Sequence, residues 1–153
     1  MLSWATSANS GAAHLLGNAL LSQRARVVFD TLLPDGAHPT LPYGALEAGF
    51  DAFWSDFERT TLPAMHRPFR VALAAATWVA PLLIGRRPPL ARHDRDTRER
   101  ALAAMGTSRW YLWRQLLMVL KMTASLCYGA DPAVREAIGY PAQPVDPGGK
   151  AAG

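Results

Sequence analysis

The chain has 153 residues, half of them hydrophobic and 18% charged, with one cysteine and a formal net charge of +4 from 16 basic against 12 acidic residues. That length is enough for a single domain with a real core, and the apolar surplus leans toward extensive burial, within the chain or against a second protein. A lone thiol excludes an intramolecular disulfide, and so mild an excess of base, interleaved with acids, makes nucleic acid a poor default ligand.

Leu2 to Leu21 is rich in Ala, Ser and Gly, with Leu15, Leu16, Leu20 and Leu21 in a modest stripe, which predicts a weak docking helix over 1–21. Ser22 is a good cap for a second helix, Gln23 to Leu33, that turns Val27, Val28, Phe29 and Leu32 toward a core until Pro34 stops it. After a loop from Pro34 to Pro42, the segment from Tyr43 to about Thr60 reads as a strongly amphipathic helix. It sets Leu46, Phe50, Phe53, Trp54 and Phe57 on one face, with Glu47, Asp51 and Glu58 opposite. Pro63 and Pro68 bracket a short turn.

Phe69 to Ile84 is almost wholly apolar and invites a membrane reading. The run between Arg70 and Arg86 is shorter than the roughly 20 residues that cross a bilayer, and Pro81 sits within it, so a buried core helix is expected. Arg86 to Arg95 is a Pro- and Arg-containing loop. Over the wider Arg86-to-Arg100 region Asp94, Asp96 and Glu99 cut into the basic charge and no aromatic platform adjoins, which favours a solvated helix start over nucleic-acid contact. Asp96 with Glu99 three residues later forms a capping-box-like start for Thr97 to Met105.

Ser108 is placed to cap the next helix, which extends about 30 Å at ~1.5 Å per residue before Gly129-Ala130 break it. Separations of seven and four bring Arg114, Lys121 and Ser125 onto one narrow stripe, and nearly everything else on this helix must be covered. Asp131 caps a short following helix with Pro132 in its first turn, and Gly139 closes it before Tyr140-Pro141. Residues 142–153 have the Pro, Gly and Ala content of a disordered tail. No internal repeat or alternating strand pattern intervenes, so the fold class is all-α, a single-domain bundle of about six to seven helices.

The stretch from Trp110 to Pro141 resembles the C-terminal part of the small helical subunit of gluconate 2-dehydrogenase (the subunit 3 family). It is also similar to the region ahead of the flavin domain in long-chain alcohol oxidases of the glucose-methanol-choline (GMC) class. The shared pattern is an Arg-containing apolar helix, an aromatic residue, a small-residue break, Asp-Pro, and then Ala-Ile-Gly-Tyr-Pro. Phe29-Asp30-Thr31-Leu32-Leu33-Pro34 looks like the family's opening helix and Arg98-Glu99-Arg100 like its charged helix start. Gly85-Arg86 matches the end of its apolar helix. The resemblance covers 22–141 as a helical small-subunit domain. It implies a non-catalytic accessory subunit of an FAD-dependent alcohol or sugar dehydrogenase, whose large GMC-type chain holds FAD and the catalytic His pair. In some complexes a cytochrome c accepts the electrons.

No constellation in the sequence supports catalysis by the chain itself. It has no Gly-rich turn after a strand, so it is not the flavoprotein, and no cofactor is expected on it. His14, His38, His66 and His93 lack the spacing of a metal site, Cys-x-x-Cys-His is absent, and Ser10, Ser108 and Ser125 have no nucleophile elbow. Cys127 reads as a small buried hydrophobe rather than a nucleophile.

The candidate partner contacts are Trp110, Trp113, Arg114, Lys121, Tyr128, Asp131, Tyr140 and Pro141, with Tyr111 beside them. Trp, Tyr and Arg are the enriched anchors of interfaces, and Arg114 and Lys121 in apolar surroundings call for partner carboxylates or helix-end carbonyls. Arg24 is the first cation, so the opening segment lacks the basic region of an export leader, whereas many free-standing members of the resembled family carry a twin-arginine leader. The expected location is the cytoplasm, or the periplasm if the chain is carried out on a leader-bearing partner. A rival reading, from Phe69 to Ile84 and the Trp110 helix, is a membrane-associated helical protein without catalytic activity of its own.

Overall fold

The computed structural model describes residues 4–36, 43–61 and 63–140, with side chains over 17–36, 43–61 and 64–140. Among them there is no strand, and the molecule is all-α. Helix α1 (Trp4–Leu32) is unbroken, so the new start expected at Ser22 does not occur. Neither Leu21 nor Ser22 disfavours helical backbone strongly, and a capping side chain ends a helix only where the chain also turns. The C-terminal half of α1 carries core residues: Ala25, Val28 and Phe29 are buried, and the Thr31 hydroxyl donates to the Val27 carbonyl at 2.7 Å. The Leu15 and Leu16 side chains lie outside the described residues.

The chain returns to α1 along a backbone seam. The Ala45 amide donates to the Leu33 carbonyl at 2.9 Å, and a Cβ at Gly44 would stand 2.6 Å from the Asp35 nitrogen, so only glycine fits. This seam holds Tyr43 to Gly49 in turns, which corrects the expected helix start at Tyr43. Helix α2 (Phe50–Thr60) begins after Gly49, which is left-handed at φ 82°. The faces of α2 are as the spacing predicts: Phe50 and Trp54 are buried, Leu46, Phe53 and Phe57 pack on the core, and Glu47, Asp51 and Glu58 are exposed. Phe50 meets Phe29 edge-on at 5.5 Å and stacks on Trp54 at 5.7 Å. Trp54 and Phe57 reach Phe69 at 5.9 and 5.0 Å, which ties α2 to the next helix.

Helix α3 (Pro63–Ala74), a π-helical segment (Ala75–Val79) and helix α4 (Ala80–Leu83) form one continuous run. Pro63 opens it and Pro68 rides inside it, so these prolines do not bracket a turn. The wide turn has a cause in the sequence. Pro81 cannot donate to the ladder, and its ring crowds the carbonyl four residues earlier. The helix widens just ahead of it: the Ala80 amide donates to Ala75, and the Thr77 hydroxyl takes up the Leu73 carbonyl at 2.7 Å. The burial expected for Phe69 to Ile84 is met on one side only. Phe69, Ala72, Leu73, Ala76 and Ala80 are inside, whereas Val71, Trp78, Leu82 and Leu83 face outward. No helix among the described residues is long and apolar enough to cross a membrane.

A 3-10 turn (Leu90–Arg92) buries Leu90 before helix α5 (Arg95–Gly106). The cap of α5 is Asp94, not Asp96: Asp94 Oδ1 accepts from the Thr97 amide at 2.8 Å. Hydrogen bonding from the Thr97 side chain and amide holds the Asp94 carboxyl below its ordinary value. Arg98 reaches from α5 to Asp30 on α1 at 3.2 Å, so two of the shorter stretches that carry the resemblance meet in one ion pair. Helices α6 (Tyr111–Ala130) and α7 (Pro132–Ala137) complete the described chain.

Candidate partner-binding surface

Helix α6 packs on α3, α5, α1 and α2. Its inner face buries Leu116, Leu117, Leu120, Thr123, Ala124, Cys127 and Tyr128. Spacings of seven and four put Tyr111, Met118, Met122 and Leu126 together on the opposite side. The chain's own described elements leave that side largely open: Met118, Met122 and Leu126 are 53%, 61% and 66% exposed. Too few other helices surround α6 to reach that face. Arg114, Lys121 and Ser125 lie along one edge of the apolar stripe, all exposed. The two cations are therefore solvated rather than isolated among apolar groups.

The entry to α6 differs by a step from the expected one. Trp110 occupies the cap position, and Ser108 Oγ accepts from the Trp110 amide at 3.2 Å. Arg114 donates to the Ser108 carbonyl at 3.2 Å and lies 5.7 Å from the Tyr111 ring. The exit differs too, because α6 runs through Gly129 and Ala130. One helical glycine costs only ~1 kcal/mol, whereas Pro132 pushes the residue before it out of helical backbone. Asp131 accordingly sits at φ −72°, ψ 129°.

Around Asp131 a polar corner forms. Its Oδ1 accepts from the amides of Ala133 and Val134 at 2.8 and 3.1 Å and from the Tyr43 hydroxyl at 2.8 Å. The Tyr128 hydroxyl donates to the Tyr43 carbonyl at 2.9 Å, and Arg135 donates to the Gly129 carbonyl at 2.7 Å. The Tyr43 hydrogen bond holds the Asp131 carboxyl below its usual range, and the same bond raises the Tyr43 phenol. Burial, and then the Asp131 and Asp35 carboxylates, raise Tyr128. Helix α7 closes as its sequence predicts: Gly139 is left-handed at φ 73°, its amide donates to Glu136 and that of Tyr140 to Arg135.

The structure divides the sequence-predicted contacts. Trp110, Arg114, Lys121 and Tyr140 are exposed, Trp113 is half-buried against the core, and Pro141 lies outside the described residues, as does the tail at 142–153. Tyr128 and Asp131 spend their polar groups on Tyr43 and on α7, so the corner is an internal joint first. Sequence reasoning passed over Leu112, Met118, Met122, Leu126 and Ile138, all exposed. For the four on α6 the helical spacing is readable, but which side of so apolar a helix faces out is not.

Two grooves flank this surface. One of about 400 Å³ lies along Met118, Lys121, Met122, Ser125 and Leu126. A larger one, about 610 Å³, lies between α1, α5 and α6, with Leu32, Leu102, Gly106, Leu117 and Lys121 among its walls. Lys121 belongs to both.

Burial pushes the Cys127 thiol up to about 11, which keeps it a neutral, inert packing group. His66 packs edge-on to Phe57 at 5.5 Å and His93 Nε2 lies 2.7 Å from the Arg87 carbonyl, whereas His38 and the His14 side chain lie outside the described residues. No three metal-ligating side chains cluster among the described residues. No family model matches the chain, and no curated protein or solved structure is significantly similar to it.

Proposed function

We propose that this chain is a non-catalytic helical subunit whose work is to dock on, cover and stabilise a larger protein. The observation that carries this reading is the outer face of α6, an apolar stripe with cations on one edge and no covering element among the described residues. Apolar area of this kind, rimmed by polar groups, marks association surfaces. Trp110 and Tyr140 add exposed aromatic anchors of the type that dominates interface energetics.

The identity of the partner rests on the resemblance of Trp110–Pro141, and in the proposal it is the FAD-bearing large chain of a GMC-type alcohol or sugar dehydrogenase. FAD and the chemistry reside in that chain, with a cytochrome c or other acceptor downstream. Binding to the folded subunit alone would stabilise it by mass action. The test is co-purification of the tagged full chain from its source, followed by an absorbance spectrum. A flavin band at about one equivalent supports the proposal; a monodisperse, stable monomer with no flavoprotein attached overturns it.

A membrane-peripheral role is the second reading. Val71, Trp78 and Leu82 point outward on a run that has no acidic residue from Arg59 to His93, with Arg24 5.8 Å from the Trp78 ring. Carbonate extraction separates the two: release favours the subunit, retention the membrane.

A further inference from the structure

We infer that the outer face of α6 takes an amphipathic helix of the partner whose apolar stripe is edged by carboxylates, with Lys121 as the charge that selects it. This inference deepens the proposed function and rests on its docking reading. From Arg100 to Ala130 the chain has no acidic residue, while Arg100, Arg109, Arg114 and Lys121 are all cations. Tyr111, Met118, Met122 and Leu126 repeat at the spacing by which one helix presents a seam to another. A shallow, open groove of about 400 Å³ runs between the side chains of Met118, Met122 and Leu126. Lys121 lines both that groove and the 610 Å³ one, so a helix lying in either passes its side chain. Glu99 also lines the larger groove, but it is paired with Arg95 at 3.1 Å.

Charge decides among occupants. A second copy of α6 packed antiparallel about a two-fold axis would bring the Arg114–Lys121 edge against itself, cation to cation. A parallel pair would set those cations against Leu112 and Val119. Neither arrangement draws a carboxylate from α6, so the complementary occupant is a foreign, acidic-edged helix. Methionines suit such a seat, since their unbranched side chains repack around an incoming apolar stripe.

The test uses the full chain and two designed helical peptides with the same apolar stripe, one edged with Glu and the other with Lys, followed by fluorescence anisotropy. The Glu-edged peptide is expected to bind at least tenfold more tightly at low salt, with the margin shrinking as salt screens the charges. Lys121→Glu should reverse the preference, and Met122→Asp should abolish binding of both peptides while urea unfolding of the free chain stays unchanged. Equal affinity for the two peptides, or a preference that survives Lys121→Glu, overturns the inference. So does self-association in sedimentation that Met122→Asp removes, or binding to anionic phospholipid vesicles with no peptide binding. Co-purification of a flavoprotein that persists in both variants would sink this inference and leave the proposed function standing. Peptide selectivity with no flavoprotein attached would do the reverse.

Discussion

The corner at Asp131 and the outer face of α6 come from adjacent stretches of one sequence, yet they stand at opposite limits of internal satisfaction. At the corner one carboxylate oxygen accepts from three donors, and the two tyrosines close a loop between α6, α7 and the seam beside α1. On the outer face, the four large side chains of Tyr111, Met118, Met122 and Leu126 are each more than half exposed. Both regions mix aromatic, basic and aliphatic residues, but only the corner holds a carboxylate. The corner stabilises the chain on its own account, whereas the face gains energy only by association.

The sharpest way to break that contrast is to compare substitutions on the two sides of α6. Leu120→Ala, inside a fully buried position, should lower unfolding free energy by about 2–5 kcal/mol in urea titration. Met122→Ala, outside, should stay within about 0.5 kcal/mol of the parent, because an exposed side chain leaves no cavity. Equal losses would mean that α6 has no free face.

The corner is probed next. Asp131→Ala removes the α7 cap and strands the Tyr43 hydroxyl, and should cost about 1–3 kcal/mol by the same measurement. Asp131→Asn retains an acceptor suited to capping and should recover much of that loss.

The pH dependence sharpens the comparison with a smaller signal. The Asp131 carboxyl titrates below its ordinary 3.8 in the fold, so its contribution is present above that pH and lost as pH falls through the depressed value. Tyr43 titrates above its ordinary 10.0, so its contribution is present below pH 10 and lost as pH rises through the raised value. Stability curves of Asp131→Ala should be flatter at the acid end and those of Tyr43→Phe flatter at the alkaline end, while Met122→Ala should leave both ends unchanged. The smallest effect is chemical. With its thiol near 11, Cys127 should resist alkylation at neutral pH in the native chain and react only after unfolding, as mass spectrometry would record.

What could be read in the sequence was what local chemistry dictates. Asp131-Pro132 and Gly139 specify α7 and its closure without help from tertiary structure, and the aromatic face of α2 follows from its spacing. Boundaries failed where a distant contact or a competing residue intervened. The Gly44 seam against Leu33–Asp35 denies helix to Tyr43–Gly49, Asp94 outranks Asp96 because it stands three residues before Thr97, and Ser22 lies in a helix with no reason to end. Among the candidate site residues, Trp110, Arg114, Lys121 and Tyr140 are exposed, as a surface role requires. Tyr128 and Asp131 could not be recognised as internal, since their partner, Tyr43, lies 85 and 88 residues away.

That separation has a consequence for biosynthesis. At the ~5–20 residues per second of translation, the 88 residues between Tyr43 and Asp131 take roughly 4–18 s to emerge, long compared with helix formation or hydrophobic collapse. The Tyr43–Asp131 bond cannot form before that interval ends, so the corner is a latch that can close only after the segments it fastens have left the ribosome.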